Sequence, residues 1–222
     1  MKNVTKSLLL ASGLALATAA QANFTMEETN PYIGLEYKQT WMKGKGDWAN
    51  ILPKSYPGAS LFVGSRFNEN VGIELGYSST KRKSKSSSTQ SLNGVMLNNG
   101  ANVSGSTKVK VYGAYFDING YLPIDQQFDL IGSVGVALNK AKISYASNLA
   151  AGDVSTKSRV LGRLGFGAQA MVNEWVGVRA MARWENNSRL HKGGTIQFDN
   201  KSVPAKIFKD AGSLSLGAFV KF

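Results

Sequence analysis

Ser213-Leu214-Ser215-Leu216-Gly217-Ala218-Phe219-Val220-Lys221-Phe222 ends the chain, and it alternates. Leu214, Leu216, Ala218, Val220 and Phe222 fall on one face, and Ser213, Ser215, Gly217 and Lys221 on the other. Side chains of a β-strand point to opposite faces in turn, so this pattern predicts a strand with one apolar and one polar side. Its polar side carries serine, glycine and a lysine.

The same alternation recurs upstream. Tyr32–Trp41 sets Ile33, Leu35, Tyr37 and Trp41 against Glu36, Lys38 and Thr40. Ser60–Phe67 sets Leu61, Val63 and Phe67 against Phe62, Gly64 and Arg66. Val71–Ser79, Lys110–Leu122, Leu130–Leu138, Arg159–Ala170 and Val176–Glu185 repeat it, which with Gly212–Phe222 makes eight strands. They run from 8 to 13 residues, about the length needed to cross a bilayer when tilted. The connections alternate in length. Asn68–Asn70, Pro123–Asp129 and Val172–Glu174 are short, whereas Met42–Ala59, Thr80–Val109, Asn139–Ser158 and Asn186–Ala211 are long. Short turns on one side and long loops on the other are the sequence signature of a transmembrane barrel. The expected fold is therefore all-β: an eight-stranded, antiparallel, up-and-down transmembrane β-barrel with short periplasmic turns and long extracellular loops. A soluble sandwich or lipocalin-like barrel also alternates. It would bury its apolar face, however, and here the polar face is the one rich in glycine and in charges of both signs.

Met1–Ala22 has the parts of a secretory leader: Lys2 and Lys6, an apolar stretch over Leu8–Ala20, and Ala20-Gln21-Ala22 as the cleavage site. The expected organisation is a signal peptide over 1–22 and one barrel domain over 23–222, in the bacterial outer membrane. The 222-residue chain has no cysteine, which excludes disulfide scaffolds and thiol chemistry, and one histidine, which excludes histidine-rich metal sites. No cofactor is expected. The mean hydropathy of −0.16 reads as soluble. A polar lumen and polar loops bring a membrane barrel to the same value, so the average does not discriminate.

Ser215, Gly217, Val220 and Phe222 resemble the C-terminal assembly signal of outer-membrane proteins, in which a polar residue, a glycine, an apolar residue and a terminal aromatic are spaced in this way. With Tyr32-Ile33-Gly34-Leu35 and Val71-Gly72-Ile73-Glu74-Leu75-Gly76-Tyr77, the chain resembles the small outer-membrane β-barrel superfamily of the OmpA membrane domain, OmpX-like proteins and opacity-type surface proteins. The resemblance implies the fold and insertion by the barrel-assembly machinery. It does not fix an activity, because this fold hosts adhesins, structural barrels and enzymes. The chain leaves no room after Phe222 for a peptidoglycan-binding domain, so wall anchoring is not expected.

The polar faces place Glu36, Lys38, Arg66, Glu74, Asp117, Arg163, Arg179, Arg183, Glu185 and Lys221 inside the barrel. An eight-stranded barrel is just wide enough for side chains to fill. These charges are expected to pair into a plug, with Glu74, Glu185, Arg179 and Arg183 as leading members. An ion pathway is the alternative.

The formal charge is +12. The short turns carry Glu69, Asp125, Asp129 and Glu174 without a cation, while the long loops carry lysines and arginines from Lys43 to Lys209 against Asp47, Asp153, Asp199 and Asp210. The densest run is Lys81-Arg82-Lys83-Ser84-Lys85, read as an anion-binding loop. Expected partners are outer-membrane lipids and lipopolysaccharide, and host glycans or acidic proteins, bound by a monomer. The run has no interleaved aromatics, so specific nucleic-acid binding is not expected. Ser188 and His191, near Glu185 and Asn187, are the candidates for a lipid A-modifying enzyme. They sit three apart in a long loop, which lacks the rigid support that a serine nucleophile and its base need. The reading is a non-enzymatic surface barrel for adhesion or envelope interaction, with a narrow pore as the first alternative and a lipid A-modifying enzyme as the second.

Overall fold

The computed structural model describes residues 29–44, 52–88, 104–147, 151–155, 158–186, 195–198, 201–204 and 208–222. The expected leader, Ser188 and His191 lie outside these residues. The strands in chain order are β1 (Asn30–Gly44), β2 (Ser55–Arg66), β3 (Val71–Thr80), β4 (Lys83–Ser88), β5 (Ser104–Pro123), β6 (Phe128–Ser147), β7 (Ala151–Ser155), β8 (Arg159–Met171), β9 (Val176–Glu185), β10 (Thr195–Phe198), β11 (Lys201–Pro204) and β12 (Phe208–Lys221).

Eight of these close a ring in the order β1-β2-β3-β5-β6-β8-β9-β12, each antiparallel to its neighbours. The seam is β12 against β1, with Val220 opposite Ile33 and Gly217 opposite Glu36. The stretch that resembles a C-terminal assembly signal is thus in the strand that closes the barrel. Phe222 adds a backbone bond, its N–H donating to the Pro31 carbonyl at 3.1 Å. Closure leaves no edge in the ring of these eight strands, as a hydrocarbon environment requires.

The expected faces hold. Leu35, Leu61, Leu75, Val136, Leu214 and Leu216 point outward and are exposed, whereas Glu36, Glu74, Asp117, Arg179 and Arg183 point inward and are buried. The exposed apolar surface forms a band, as lipid contact demands, and the charged side chains form the interior. Exposed aromatics sit at both rims, with Phe128, Trp175 and Phe222 at the end holding the short turns and Tyr37, Trp41 and Tyr77 at the other.

The strand limits differ from the expected ones. Thr80–Val109 and Asn139–Ser158, expected as loops, are in part sheet. β5 and β6 run 20 residues each and stay paired from Gly105↔Ser147 to Pro123↔Asp129. β4 continues β3 along β5, and β7 continues β8 along β6. Four neighbouring walls of the barrel therefore extend beyond the others at the loop end. A 20-residue strand is about 65 Å long, well over the length a tilted strand needs for an apolar band of about 25 Å. Lys83 and Lys85, expected in a loop, lie on β4. Its sequence Lys-Ser-Lys-Ser-Ser-Ser has no apolar face, so no hydrophobic period marks it as a strand. The expected loop Asn186–Ala211 contains the β10–β11 hairpin and the start of β12.

Candidate functional site

Inside the barrel the charges are stacked in layers. At the centre, Glu36 on β1 accepts bonds from two arginines of β9. Arg179 approaches Glu36 Oε1 with Nε at 2.9 Å and Nη2 at 2.7 Å. Arg183 reaches Oε2 with Nη1 at 2.7 Å and Oε1 with Nη2 at 3.1 Å. The two arginines are four residues apart on one strand, so they share a face and stand in successive layers. Arg179 also bridges to Glu74 on β3, with Nη1 2.5 Å from Oε2. Glu74 in turn accepts from the hydroxyls of Tyr115 at 3.1 Å and Tyr32 at 3.4 Å. The Arg179 guanidinium lies 3.9 Å from the centre of the Phe62 ring and that of Arg163 3.7 Å from the Tyr115 ring, so aromatic faces fill the remaining space around the cations.

Toward the loop end, Lys38 donates to Glu185 at 3.1 Å, and the Asn139 amide donates to the other Glu185 oxygen at 2.9 Å. Arg163 approaches Asp117 at 3.1 Å and Glu185 at 3.7 Å. The Arg163–Asp117 pair is close but not aligned for a hydrogen bond, and Asp117 Oδ1 has no donor. Toward the short turns, Arg66 pairs with Asp129 at 2.8 Å, and Gln169 donates to the same oxygen at 2.9 Å. The Arg66 guanidinium also donates to the Glu69 carbonyl, which ties the turn to the lumen.

Glycines make these spans possible. Gly217 lies between Glu36 and Arg179 in register, and a Cβ there would collide with the Leu35 carbonyl and the Glu36 side chain. Gly135 lies in the same way between Asp117 and Arg163. Across three adjacent strands, the two long side chains meet over the one that has none.

The structure brings together the expected lumen members Glu36, Lys38, Glu74, Asp117, Arg163, Arg179, Arg183 and Glu185, while Arg66 forms a separate pair near the turns. Asp129 belongs with them and was missed. It was expected in a short turn, but β6 begins at Phe128, so Asp129 faces inward. Its signal was there to read: it shares odd parity with Ser133, Gly135 and Ala137 on the polar side of that strand. The five described acids of the lumen thus meet five cations, apart from Lys221 near its turn end. Of the residues that resemble a C-terminal assembly signal, Ser215 faces inward, its Oγ 2.6 Å from Arg183 Nη1, and Val220 and Phe222 face outward.

Apolar and aromatic side chains pack in the lumen among these charges: Tyr32, Phe62, Tyr115, Ala137 and Phe219 form one cluster, and Tyr121, Ile131 and Met181 a second. On the loop side the inward residues Met42, Val109, Ala141, Ile143, Leu161 and Ala211 are buried. A cavity of about 20 Å³ beside Lys38, Thr40 and Glu185 has room for one water. Among the described residues, no group of three or more His, Cys, Asp or Glu is placed to hold a metal ion.

Residues 7–218 match the family model described as outer membrane protein beta-barrel domain. The chain belongs to this family. It is an outer-membrane β-barrel of the bacterial envelope, and in such barrels the short turns face the periplasm and the loops the exterior. No curated protein sequence matches it. Among solved structures, Ail, the attachment invasion locus protein of Yersinia pestis, in complex with the heparin analogue sucrose octasulfate, aligns at 18% identity over 88% of this chain and 99% of its own, with a TM-score of 0.51. Neisserial surface protein A aligns at 16% identity over 88% of this chain and 100% of its own, with a TM-score of 0.55. At such identities the likeness is one of fold.

Proposed function

We propose that this chain is a non-enzymatic surface barrel, monomeric and inserted by the barrel-assembly machinery, that presents a basic extracellular face to anionic partners in adhesion or envelope integrity. The carrying observation is the separation of charge along the barrel axis. The described short turns, 67–70, 124–127 and 172–175, hold Glu69, Asp125 and Glu174 and no lysine or arginine. The opposite end carries Lys81, Arg82, Lys83 and Lys85, exposed or half-exposed, on and beside the raised wall. β4 holds Lys83 opposite Val109 and Lys85 opposite Thr107, both inward positions of β5, so these two lysines follow the inner side of the wall above the barrel mouth. This group would attract a soluble polyanion approaching from outside. The sulfated ligand of the Ail complex supports such a partner. The paired charges of the lumen favour a plug over the pore alternative, because an eight-stranded barrel is just wide enough for side chains to fill.

The test is binding to immobilised heparin across a salt series, for the wild type and for a variant with Lys81, Arg82, Lys83 and Lys85 changed to Ser. Exposed lysines act as point charges screened beyond about 8 Å at physiological salt, so several must act together. The variant should elute at clearly lower salt while remaining a heat-modifiable barrel. Equal elution of the two proteins would sink the proposal.

A further inference from the structure

A second basic surface points sideways rather than upward. On β5 the outward residues, read toward the loop end, are Ile118, Phe116, Ala114, Tyr112, Lys110 and Lys108. On β6 they are Val134, Val136, Leu138, Lys140, Lys142 and Ser144. The register aligns the change of character: Phe116↔Val136 and Ala114↔Leu138 are lipid-facing, Tyr112↔Lys140 follows, and then Lys110↔Lys142 and Lys108↔Ser144. Lys110 Nζ stands 6.0 Å from the centre of the Tyr112 ring. On the neighbouring strand the same face carries Ser84, opposite Lys108.

The outer face of the β5–β6 wall, resting on the reading of this chain as an outer-membrane surface barrel, is a binding site for the phosphates of outer-leaflet lipopolysaccharide, and Lys108, Lys110 and Lys140 carry it: this we infer from three features. The first is height. Lys140 is two residues beyond Leu138, so with a tilted strand its Cα stands only about 5 Å above the last apolar layer. Lysine extends its amine toward polar surroundings from an apolar stem, so the charge comes to rest at the headgroup level. The second is direction. These side chains leave the wall toward the neighbouring lipid, where a soluble glycan would have to enter the headgroup layer to meet them. The third is the boundary. Tyr112, beside Lys140, is the interfacial aromatic that marks the boundary.

The two basic surfaces can be tested against each other. The full-length mature barrel in mixed micelles is titrated with diphosphoryl lipid A, with lipid A stripped of phosphate, and with heparin. Near an anionic leaflet each lysine contributes roughly a fivefold factor, so K108Q/K110Q/K140Q should bind diphosphoryl lipid A about a hundredfold more weakly than wild type. Heparin binding of this variant should stay within about twofold, because electrostatic attraction at physiological salt falls off over about 8 Å. Wild type should bind the stripped lipid as weakly as the variant binds the phosphorylated one. The triple Lys→Arg variant keeps the charge and should bind as wild type. If the triple glutamine variant fails to fold, K108Q/K140Q replaces it, with a loss of about 25-fold expected on the same scale. Wild-type affinity of the glutamine variant for diphosphoryl lipid A would overturn the inference. Loss of heparin binding in place of lipid A binding would also overturn it, by assigning this wall to a soluble glycan. The heparin result for the variant at Lys81, Arg82, Lys83 and Lys85 tests the proposed function separately and leaves this inference untouched.

Discussion

Glu36 holds two buried arginines, and its removal exposes how the lumen is stabilised. Glu36→Gln keeps the size of the side chain and removes its charge. Arg179 then retains Glu74 at 2.5 Å, but Arg183 retains only the Ser215 hydroxyl at 2.6 Å. All three ionic side chains are at most 2% exposed, so water does not replace the lost partner. Breaking a buried ion pair by removing one member costs about 3–5 kcal/mol, because the remaining charge is left uncompensated. A hydrogen bond from Arg183 to the new amide oxygen offsets about 1 kcal/mol of this. The expected loss is therefore about 2–4 kcal/mol. Reversible urea unfolding in lipid vesicles, followed by tryptophan fluorescence, would measure it. Arg183→Met alone removes a charge but leaves Glu36 with Arg179, so it should cost less. The double variant should recover stability relative to Glu36→Gln, since no unpaired arginine remains, and the cycle should give a coupling of at least about 1.5 kcal/mol. A loss under about 0.5 kcal/mol for Glu36→Gln, or a double variant whose loss is the sum of the singles, would falsify the claim that this pair organises the lumen.

Gly135→Val should destabilise the barrel by about 1–3 kcal/mol or more, because its side chain would occupy the space over which Asp117 and Arg163 meet; the same unfolding assay reads it, and an unchanged midpoint would contradict the proposed packing. Deleting Phe222 should lower the amount of heat-modifiable protein in the outer membrane, since the seam strand loses its outward terminal aromatic and the backbone bond to Pro31; normal levels would refute a role for this residue in assembly. Planar-bilayer recording should show no steady conductance from the wild type; discrete, reproducible single-channel steps would restore the pore reading.

Much of the lumen was legible before any fold was known. The alternation at Tyr32–Trp41 and Val176–Glu185 assigns Glu36, Arg179 and Arg183 to one side of the wall, because the parity of a strand depends only on local geometry. The limits of the strands were less legible. β4 is too polar to show a hydrophobic period, and the two-residue extension of β6 that turns Asp129 inward falls at the boundary of a turn.

The sequence by itself determined which residues face lipid and which face the lumen, the number of barrel strands, and the excess of cations in the long connections. These follow from a period of two and from composition, both of which are properties of short stretches. Only the tertiary structure decided that Arg179 bridges Glu36 and Glu74, which are 143 and 105 residues away along the chain. That pairing depends on the stagger between strands around the closed ring, and no single strand encodes it. Tertiary structure also divided the basic residues into two groups. β4 and β5 are adjacent and antiparallel, so Lys83 and Lys85 take the inner face of the wall and Lys108 and Lys110 the outer. In the sequence Lys83, Lys85 and Lys108 are lysines of one long connection, and Lys110 opens the strand that follows it. Register separates them, because a side chain acquires its direction only once its strand is paired.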